Sequence, residues 1–172
     1  MSKEFVKKCY EELAKIEPIQ YVPSSLNYTD IKKIQEKYAI LFPQIYIDFI
    51  STYAHSITNL YGKLDNFLFE DDVDVTLEIS AQPYQKELQQ IDLLFESNIK
   101  LLNCDYLPIG VFEGYNLLYW NLKSGKIYFI DEDDYYECDT KESMKEKSIL
   151  LFDTFEQLLE CFFLKKIYVC HK

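Results

Sequence analysis

Two runs of acidic residues are the most distinctive chemical feature of the sequence, because closely spaced carboxylates can bind a metal ion or a positively charged partner. The first run leads into a pair of tyrosines, and the second follows a short apolar stretch. The residues concerned are Asp131, Glu132, Asp133, Asp134, Tyr135 and Tyr136 in the first run, and Glu70, Asp71, Asp72 and Asp74 in the second.

A calcium-binding loop is the first possibility for the run at 131–134. Acidic residues stand at positions 1, 3, 9 and 12 of an EF-hand loop that begins at Asp131. Position 5 is Tyr135, however, and the obligatory turn glycine at position 6 is replaced by Tyr136. A predicted strand, not a helix, precedes the loop. The sequence therefore predicts no metal site here.

Residues suited to catalysis are scarce. The chain has only 2 histidines, and His171 is next to last, which leaves His55 as the candidate general base. We expect a structural role for His55, because it lies near the end of a predicted helix, where the helix dipole favours a positively charged side chain. No hydrolase, metalloprotease, phosphate-loop or dinucleotide motif occurs. The sequence predicts no catalytic residues, no cofactor and no enzyme activity.

The cysteines are odd in number and far apart, which is typical neither of a disulfide framework nor of a zinc site. They are Cys9, Cys104, Cys138, Cys161 and Cys170. We expect reduced thiols that mostly fill the core, with Cys9 and Cys161 on the apolar faces of helices.

The net charge of -11 is concentrated in one part of the chain. Residues 64–172 carry 10 lysines against 22 acidic residues, and the chain contains no arginine. This balance argues against nucleic-acid binding and favours a basic partner. No apolar run approaches the roughly 18 residues that cross a membrane, and the first residues lack a signal-peptide core. We therefore expect a cytoplasmic protein without a membrane-bound segment.

Helical periodicity marks four helices before and one after a central β region. The first helix carries Phe5, Cys9, Leu13 and Ile16 on one face, and Thr29 or Asp30 is the expected cap of the second. Pro43 and Pro83 are expected to open the third and fourth helices. The stretch "KLDNFLF" after Gly62 predicts a strand that ends at the acidic run 70–74. "DTFEQLLECFFLKKI" predicts a final helix capped by Asp153 or Thr154.

The segment from 105 to 131 predicts a three-stranded meander. Its strands are "DYLPIGVF", "YNLLYWNL" and "KIYFID", with turns at Glu113-Gly114 and Ser124-Gly125. Both faces of the middle strand are apolar, with Leu117 and Tyr119 on one and Leu118 and Trp120 on the other. Such a strand is covered on both sides or has one face against a partner.

The order of these elements resembles the SUKH superfamily of Smi/Knr-type domains. The resemblance covers residues 29–163 and is carried by "TDIKKIQEKYAI", "FPQIYIDFISTYAHS", "LPIG", "KIYFIDEDD" and "LFDTFEQLLECFF". It leaves residues 1–17 as an N-terminal helical extension of a single domain over 1–172. It implies a SUKH-like α+β fold in which helices pack against an antiparallel or mixed sheet.

The resemblance also implies a function in protein binding. Bacterial members include immunity proteins, which bind a cognate polymorphic or contact-dependent toxin and neutralise it without catalysis. A basic nuclease toxin would suit an acidic binder. The alternative is an intracellular regulatory or scaffold protein, as for the fungal regulators of cell-wall synthesis. The sequence leaves the oligomeric state open.

On the immunity interpretation, both acidic runs, 131–134 and 70–74, are candidate contacts with the toxin, and Tyr135 and Tyr136 are aromatic anchors. The two runs would share one surface if the strand ends that carry them are neighbours. On the alternative interpretation, both runs are solvated loops that protect strand edges and keep the protein soluble.

Overall fold

A seven-stranded mixed sheet with helices packed against it forms a single α+β domain, as the sequence predicts. The computed structural model describes residues 2–17, 22–54, 60–68, 73–79 and 87–170. The helices are α1 Ser2–Ile16, α2 Tyr28–Tyr38, α3 Gln44–Thr52, α4 Glu87–Ser97, α5 Ile99–Leu102, α6 Glu132–Glu137, α7 Lys141–Lys147 and α8 Phe155–Phe163. The strands are β1 Val22–Pro23, β2 Tyr53–Ala54, β3 Leu60–Asp65, β4 Val73–Ile79, β5 Tyr106–Phe112, β6 Asn116–Asn121, β7 Ile127–Ile130, β8 Ile149–Phe152 and β9 Ile167–Val169.

The strand order of the large sheet is β8-β7-β6-β5-β4-β3-β9. Neighbouring strands from β3 to β8 are antiparallel, whereas β9 lies parallel to β3. The short strands β1 and β2 pair only with each other. Among the described strands, β8 and β9 therefore form the two edges of the large sheet.

The predicted meander is confirmed as β5, β6 and β7. Glu113 and Gly114 both have positive φ, as the tight turn between β5 and β6 requires, and Gly125 does so in the next turn. The middle strand is covered on both faces as expected: Trp120 packs into the main core, and Tyr119 into a second apolar cluster. Pro108 is tolerated inside β5 because it lies at a bulge, where the register with β6 shifts.

The first face of the sheet carries the main core, which α1, α3 and α8 cover. Phe155 of α8 is central to it: its ring stacks on Trp120 of β6 at 4.9 Å and meets Phe49 of α3 at 5.5 Å between centroids. Helix α1, outside the span of the SUKH resemblance, belongs to this core through the buried Cys9 and Tyr10. Cys161 is also buried in a helix, as predicted for both thiols.

The second face of the sheet is covered only in part. A small cluster made by α5, α6 and α7 lies over β5, β6 and β7, and its members include Tyr119, Tyr135 and Met144. Over β3 and β4 no helix of the described residues covers this face, and Tyr61 and Asp74 are exposed there. The two faces are therefore unequal in cover.

Several boundaries differ from the predicted ones. The strand predicted to begin after Gly62 already begins at Leu60, so Gly62 lies inside β3. A Cβ at this position would come within 2.9 Å of the Phe162 ring on α8, which explains the glycine. The cap of α2 is Asn27, whose side chain accepts from the Asp30 N–H, so neither Thr29 nor Asp30 is the cap. Pro43 is the N-cap of α3 and not its first residue.

The C-terminal helix is shorter than predicted. It begins after its cap Thr154, one of the two expected residues, and ends at Phe163. Lys165 then adopts a left-handed conformation with φ 57°, which turns the chain into β9. No strand was predicted at β9 or at β4. Pro83 lies outside the described residues. Within the described residues, no helix is both long and apolar enough to span a membrane.

Candidate protein-binding surface on helix α6

The acidic run 131–134 begins a helix and is not the loop that the sequence analysis considered. Asp131 is the N-cap of α6, and its Oδ1 accepts from the Asp133 N–H at 2.9 Å. Glu132, Asp133 and Asp134 form the first helical turn. Negative side chains are favoured there because they oppose the positive end of the helix dipole. The helix cap and the helix dipole thus give the acidic run a structural role in α6.

Tyr135 attaches α6 to the sheet. Its side chain is only 4% exposed and belongs to the cluster with Tyr119 and Met144. Burial raises the pKa of the Tyr135 hydroxyl to about 12. The Tyr135 ring, predicted as an anchor for a partner, is instead packed in the protein's own core and is not exposed on the surface. Tyr136, the next residue, is 67% exposed.

Two lysines hold the rest of the helix. Lys100 of α5 donates from Nζ to the carbonyl oxygen of Cys138 at 3.2 Å, beside the negative end of the helix dipole. Lys147 of α7 lies 2.7 Å from Asp134 Oδ1 and 2.9 Å from Glu137 Oε2. Hydrogen bonds to these two carboxylates raise the pKa of Lys147. Asp134 is therefore neutralised within the fold.

Two carboxylates of the run have no such role. Among the described residues, Glu132 and Asp133 make no ion pair, and neither caps the helix. They precede Tyr136 by four and three positions, so all three side chains lie on one side of α6. With the exposed cap Asp131, they form what we call the acidic surface: Asp131, Glu132, Asp133 and Tyr136. A surface of this composition can attract a cationic protein and offers an aromatic ring for contact.

The second acidic run does not extend the acidic surface. Glu70, Asp71 and Asp72 lie outside the described residues. Asp74 is not in a loop but in β4, where it pairs with Lys63 of β3 and is exposed. The strand register from Ile130 across the sheet leads to Glu78, four residues beyond Asp74. Asp74 therefore lies about 13 Å along and about 14 Å across the sheet from the start of α6.

Three of the five described thiols are poorly suited to nucleophilic chemistry. Burial raises the pKa of Cys9 and of Cys161 to about 12, and that of Cys170 to about 11. These groups are protonated at neutral pH, whereas the thiolate is the nucleophile. Among the described residues, no group of three metal-binding side chains is close enough to hold an ion. His55 and His171 lie outside these residues.

Comparisons with known proteins give no relative for this chain. No protein-family model matches it, and no curated protein or solved structure does either. The resemblance to the SUKH superfamily therefore stays a prediction, while the mixed sheet and its helices define the class as α+β.

Sequence reasoning missed the residues that fix α6. Lys100 and Lys147 are distant in sequence from the carbonyl and carboxylates that they contact, so no local pattern indicates them. A helical signal was present in the spacing of Asp131 before Glu132 to Asp134, a cap followed by an acidic first turn. A loop was expected instead, because the residues just before Asp131 were predicted to form a strand.

Proposed function

We propose that this chain is a non-catalytic binding protein that neutralises a basic toxin domain through the acidic surface of α6. The observation that carries the proposal is that the residues of 131–136 have different roles in the fold. Asp131 caps the helix, Asp134 is paired with Lys147, and Tyr135 is buried. Glu132 and Asp133 make no ion pair among the described residues and interact favourably only with the helix dipole, and Tyr136 is exposed, so these three residues are available to a partner.

Long-range electrostatics supports a basic partner. The net charge is -11, and carboxylates without an ion-pair partner accelerate the encounter with a cationic protein by steering it during diffusion. Glu132 and Asp133 lie on a helix that the fold already holds in place, so their backbone need not be ordered when they engage a partner. Tyr136 then provides apolar area beside the charges.

The choice of a toxin as the partner follows from the SUKH resemblance. Many immunity proteins of this kind meet nucleases, whose substrate clefts are basic because they bind phosphates. An acidic helix is suited to occupying such a cleft. The high pKa values of the buried thiols Cys9 and Cys161 disfavour these two cysteines as nucleophiles.

The test is an affinity capture from the organism that encodes the chain, with three forms of the protein as bait. These are the wild type, the double variant Glu132→Gln/Asp133→Asn, and the control Glu11→Gln/Glu156→Gln. The control removes the same two charges from exposed positions on α1 and α8, over the opposite face of the sheet. We expect wild type and control to retain one basic toxin domain, which the first variant loses.

Neutralisation is then measured by growth. Cells that express the captured domain should survive when the wild-type chain or the control is co-expressed, and should die with Glu132→Gln/Asp133→Asn. Capture of signalling or cell-wall proteins without any toxin would replace the immunity function with the scaffold alternative. Equal capture by all three baits would show that the acidic surface is not the contact.

A further inference from the structure

A cleft elsewhere on the molecule is bordered by both edges of the sheet. Its volume is about 290 Å³, and it is lined by residues of β8, β9 and the start of α8. These are Leu150, Leu151, Asp153, Gln157, Ile167, Tyr168 and Val169. The rings of Phe152 in β8 and Tyr168 in β9 lie 6.0 Å apart, so the two edges approach each other closely. The sheet is thus curled, with a gap between its ends.

The walls of this gap are unusual for sheet edges. Edge strands of monomeric proteins are normally protected by charged side chains or proline, because their free N–H and C=O groups otherwise pair with other chains. Here the exposed positions are apolar: Ile167 is 53% exposed and Val169 49%, and Ile149 of β8 is also exposed. Neither strand contains a charged residue.

The charges around the cleft are paired within the protein. Lys126 lies 3.0 Å from Asp153, and Lys166 lies 2.6 Å from Glu160, which also accepts from the Tyr168 hydroxyl. The cleft therefore presents neutral rims, in contrast to the acidic surface on α6. A complementary ligand has no net charge and satisfies backbone groups on two sides.

We propose that this cleft accepts an extended, uncharged segment of a partner protein as an additional strand between β8 and β9. The strand directions fit such an insertion. The direction alternates from β3 to β8 and is kept from β3 to β9, so β8 and β9 run in opposite directions. The added strand is parallel to one edge and antiparallel to the other, and either orientation continues the sheet.

A second copy of this chain is a poorer occupant. Each copy carries a net charge of -11, so two copies repel, and the cleft rims offer no excess positive charge to offset this. A helix or a lipid is also unsuitable, because neither offers free backbone groups to a strand edge. The cleft requires an extended peptide.

The probe is a phage-displayed library of random peptides of about nine residues, a length that fits one strand. Full-length wild-type protein selects the peptides, and synthetic versions are titrated against Val169→Lys and the control Leu93→Lys. Leu93 lies on α4 and is 50% exposed, close to the exposure of Val169. A second edge variant, Ile167→Lys, guards against a folding defect in the first. Circular dichroism checks that all the variants fold.

We expect selected peptides that alternate apolar and polar residues and carry no net charge. Both edge variants should weaken binding at least about tenfold, as lysine on an edge opposes strand addition, while Leu93→Lys should not. Affinity should be unchanged between about 50 mM and about 500 mM salt. Methylation of either alternate set of peptide nitrogens should weaken binding, because one set faces β8 and the other faces β9, and amide exchange should slow in both strands.

Three results would overturn the proposal. The first is a failure to select any peptide, or selected peptides that bind all variants equally. The second is selection of basic peptides whose binding is sensitive to salt and is lost in Glu132→Gln/Asp133→Asn, since these would occupy α6 instead. The third is a dimer of the wild type in sedimentation experiments that Val169→Lys dissociates, which would make a second copy the occupant.

Discussion

The two faces of the sheet differ in how fully the fold uses their side chains. On the first face, α1, α3 and α8 close over the sheet, and aromatic rings such as Phe49 and Phe155 pack edge to face at 5.5 Å. On the second face, α6 and α7 cover β5, β6 and β7 but leave β3 and β4 open. The side chains on the first face pack together and stabilise the fold. The second face also carries side chains that contribute little to the stability of the fold.

The neighbours Tyr135 and Tyr136 show the same contrast on a smaller scale. One is a core residue that holds α6 in place, and the other points away from the fold. A partner therefore meets a helix whose position is fixed by residues that it never contacts. The difference between the two faces leads to predictions that separate structural from binding residues.

The largest effect on stability is expected from Phe155→Ala on the first face. It removes the ring that joins α8 to α3 and β6, and should lower the free energy of unfolding by about 3–5 kcal/mol. Urea denaturation followed by tryptophan fluorescence measures this, because Trp120 stacks on the lost ring. A loss below that of Tyr135→Ala would contradict the ranking of the two faces.

A smaller effect, about 2–3 kcal/mol, is expected for Tyr135→Ala, because the ring packs in a smaller cluster of buried residues and its removal loses fewer contacts. Amide exchange should increase across α6 and stay unchanged in α8. The matched control is Tyr136→Ala, which should cost less than about 0.5 kcal/mol because the side chain is exposed. Equal destabilisation by both substitutions would show that α6 is not anchored by Tyr135.

Charged residues that form ion pairs within the fold should make the free energy of unfolding depend on pH. Lys37 of α2 lies 2.7 Å from Asp92 of α4, and the Tyr38 hydroxyl donates to the same carboxylate at 2.6 Å. Partial burial opposes ionisation of Asp92, but these hydrogen bonds outweigh it and hold its pKa below the ordinary value of 3.8. The resulting stability is present above that value and is lost as pH falls through the folded-state pKa.

Lys37→Met should remove the part of this contribution that Lys37 supplies, together with its second ion pair, 2.9 Å from Glu96. The variant should be less stable than the wild type at neutral pH, and the difference should vanish once the pH is low enough to protonate Asp92 in both proteins. Denaturation across this pH range measures it, with Lys15→Met, which breaks a pair within α1, as the control. A difference between Lys37→Met and wild type that persisted at low pH would exclude Asp92 as its source.

The sequence predicted the elements whose signals are local. Apolar runs bounded by glycine turns located β5, β6 and β7, and helical periodicity located α1 and α8, although Ile16, predicted on the apolar face of α1, is exposed. Missed features depend on distant contacts. Helix α6 has only six residues and relies on Tyr135 and on Lys147 from α7. Strand β9 follows from the left-handed turn at Lys165, which no local propensity favours.

The candidate site was predicted in part for the same reason. Like charges at 131–134 are visible in the sequence, but which of them are already used depends on Lys147 and on the helix cap. The distance of Asp74 from α6 depends on strand register across the sheet. Sequence alone therefore identified the charged run and overestimated how much of it is available.

The decisive measurement is the association rate of the captured basic domain with wild-type protein, Glu132→Gln/Asp133→Asn and Glu11→Gln/Glu156→Gln, by stopped flow at increasing salt. We predict that the α6 variant associates about tenfold more slowly than the wild type at low salt, and that the gap closes as salt screens the charges. The control should differ little from the wild type. Equal rates for both variants, or a gap that salt does not change, would contradict a partner-binding role for Glu132 and Asp133.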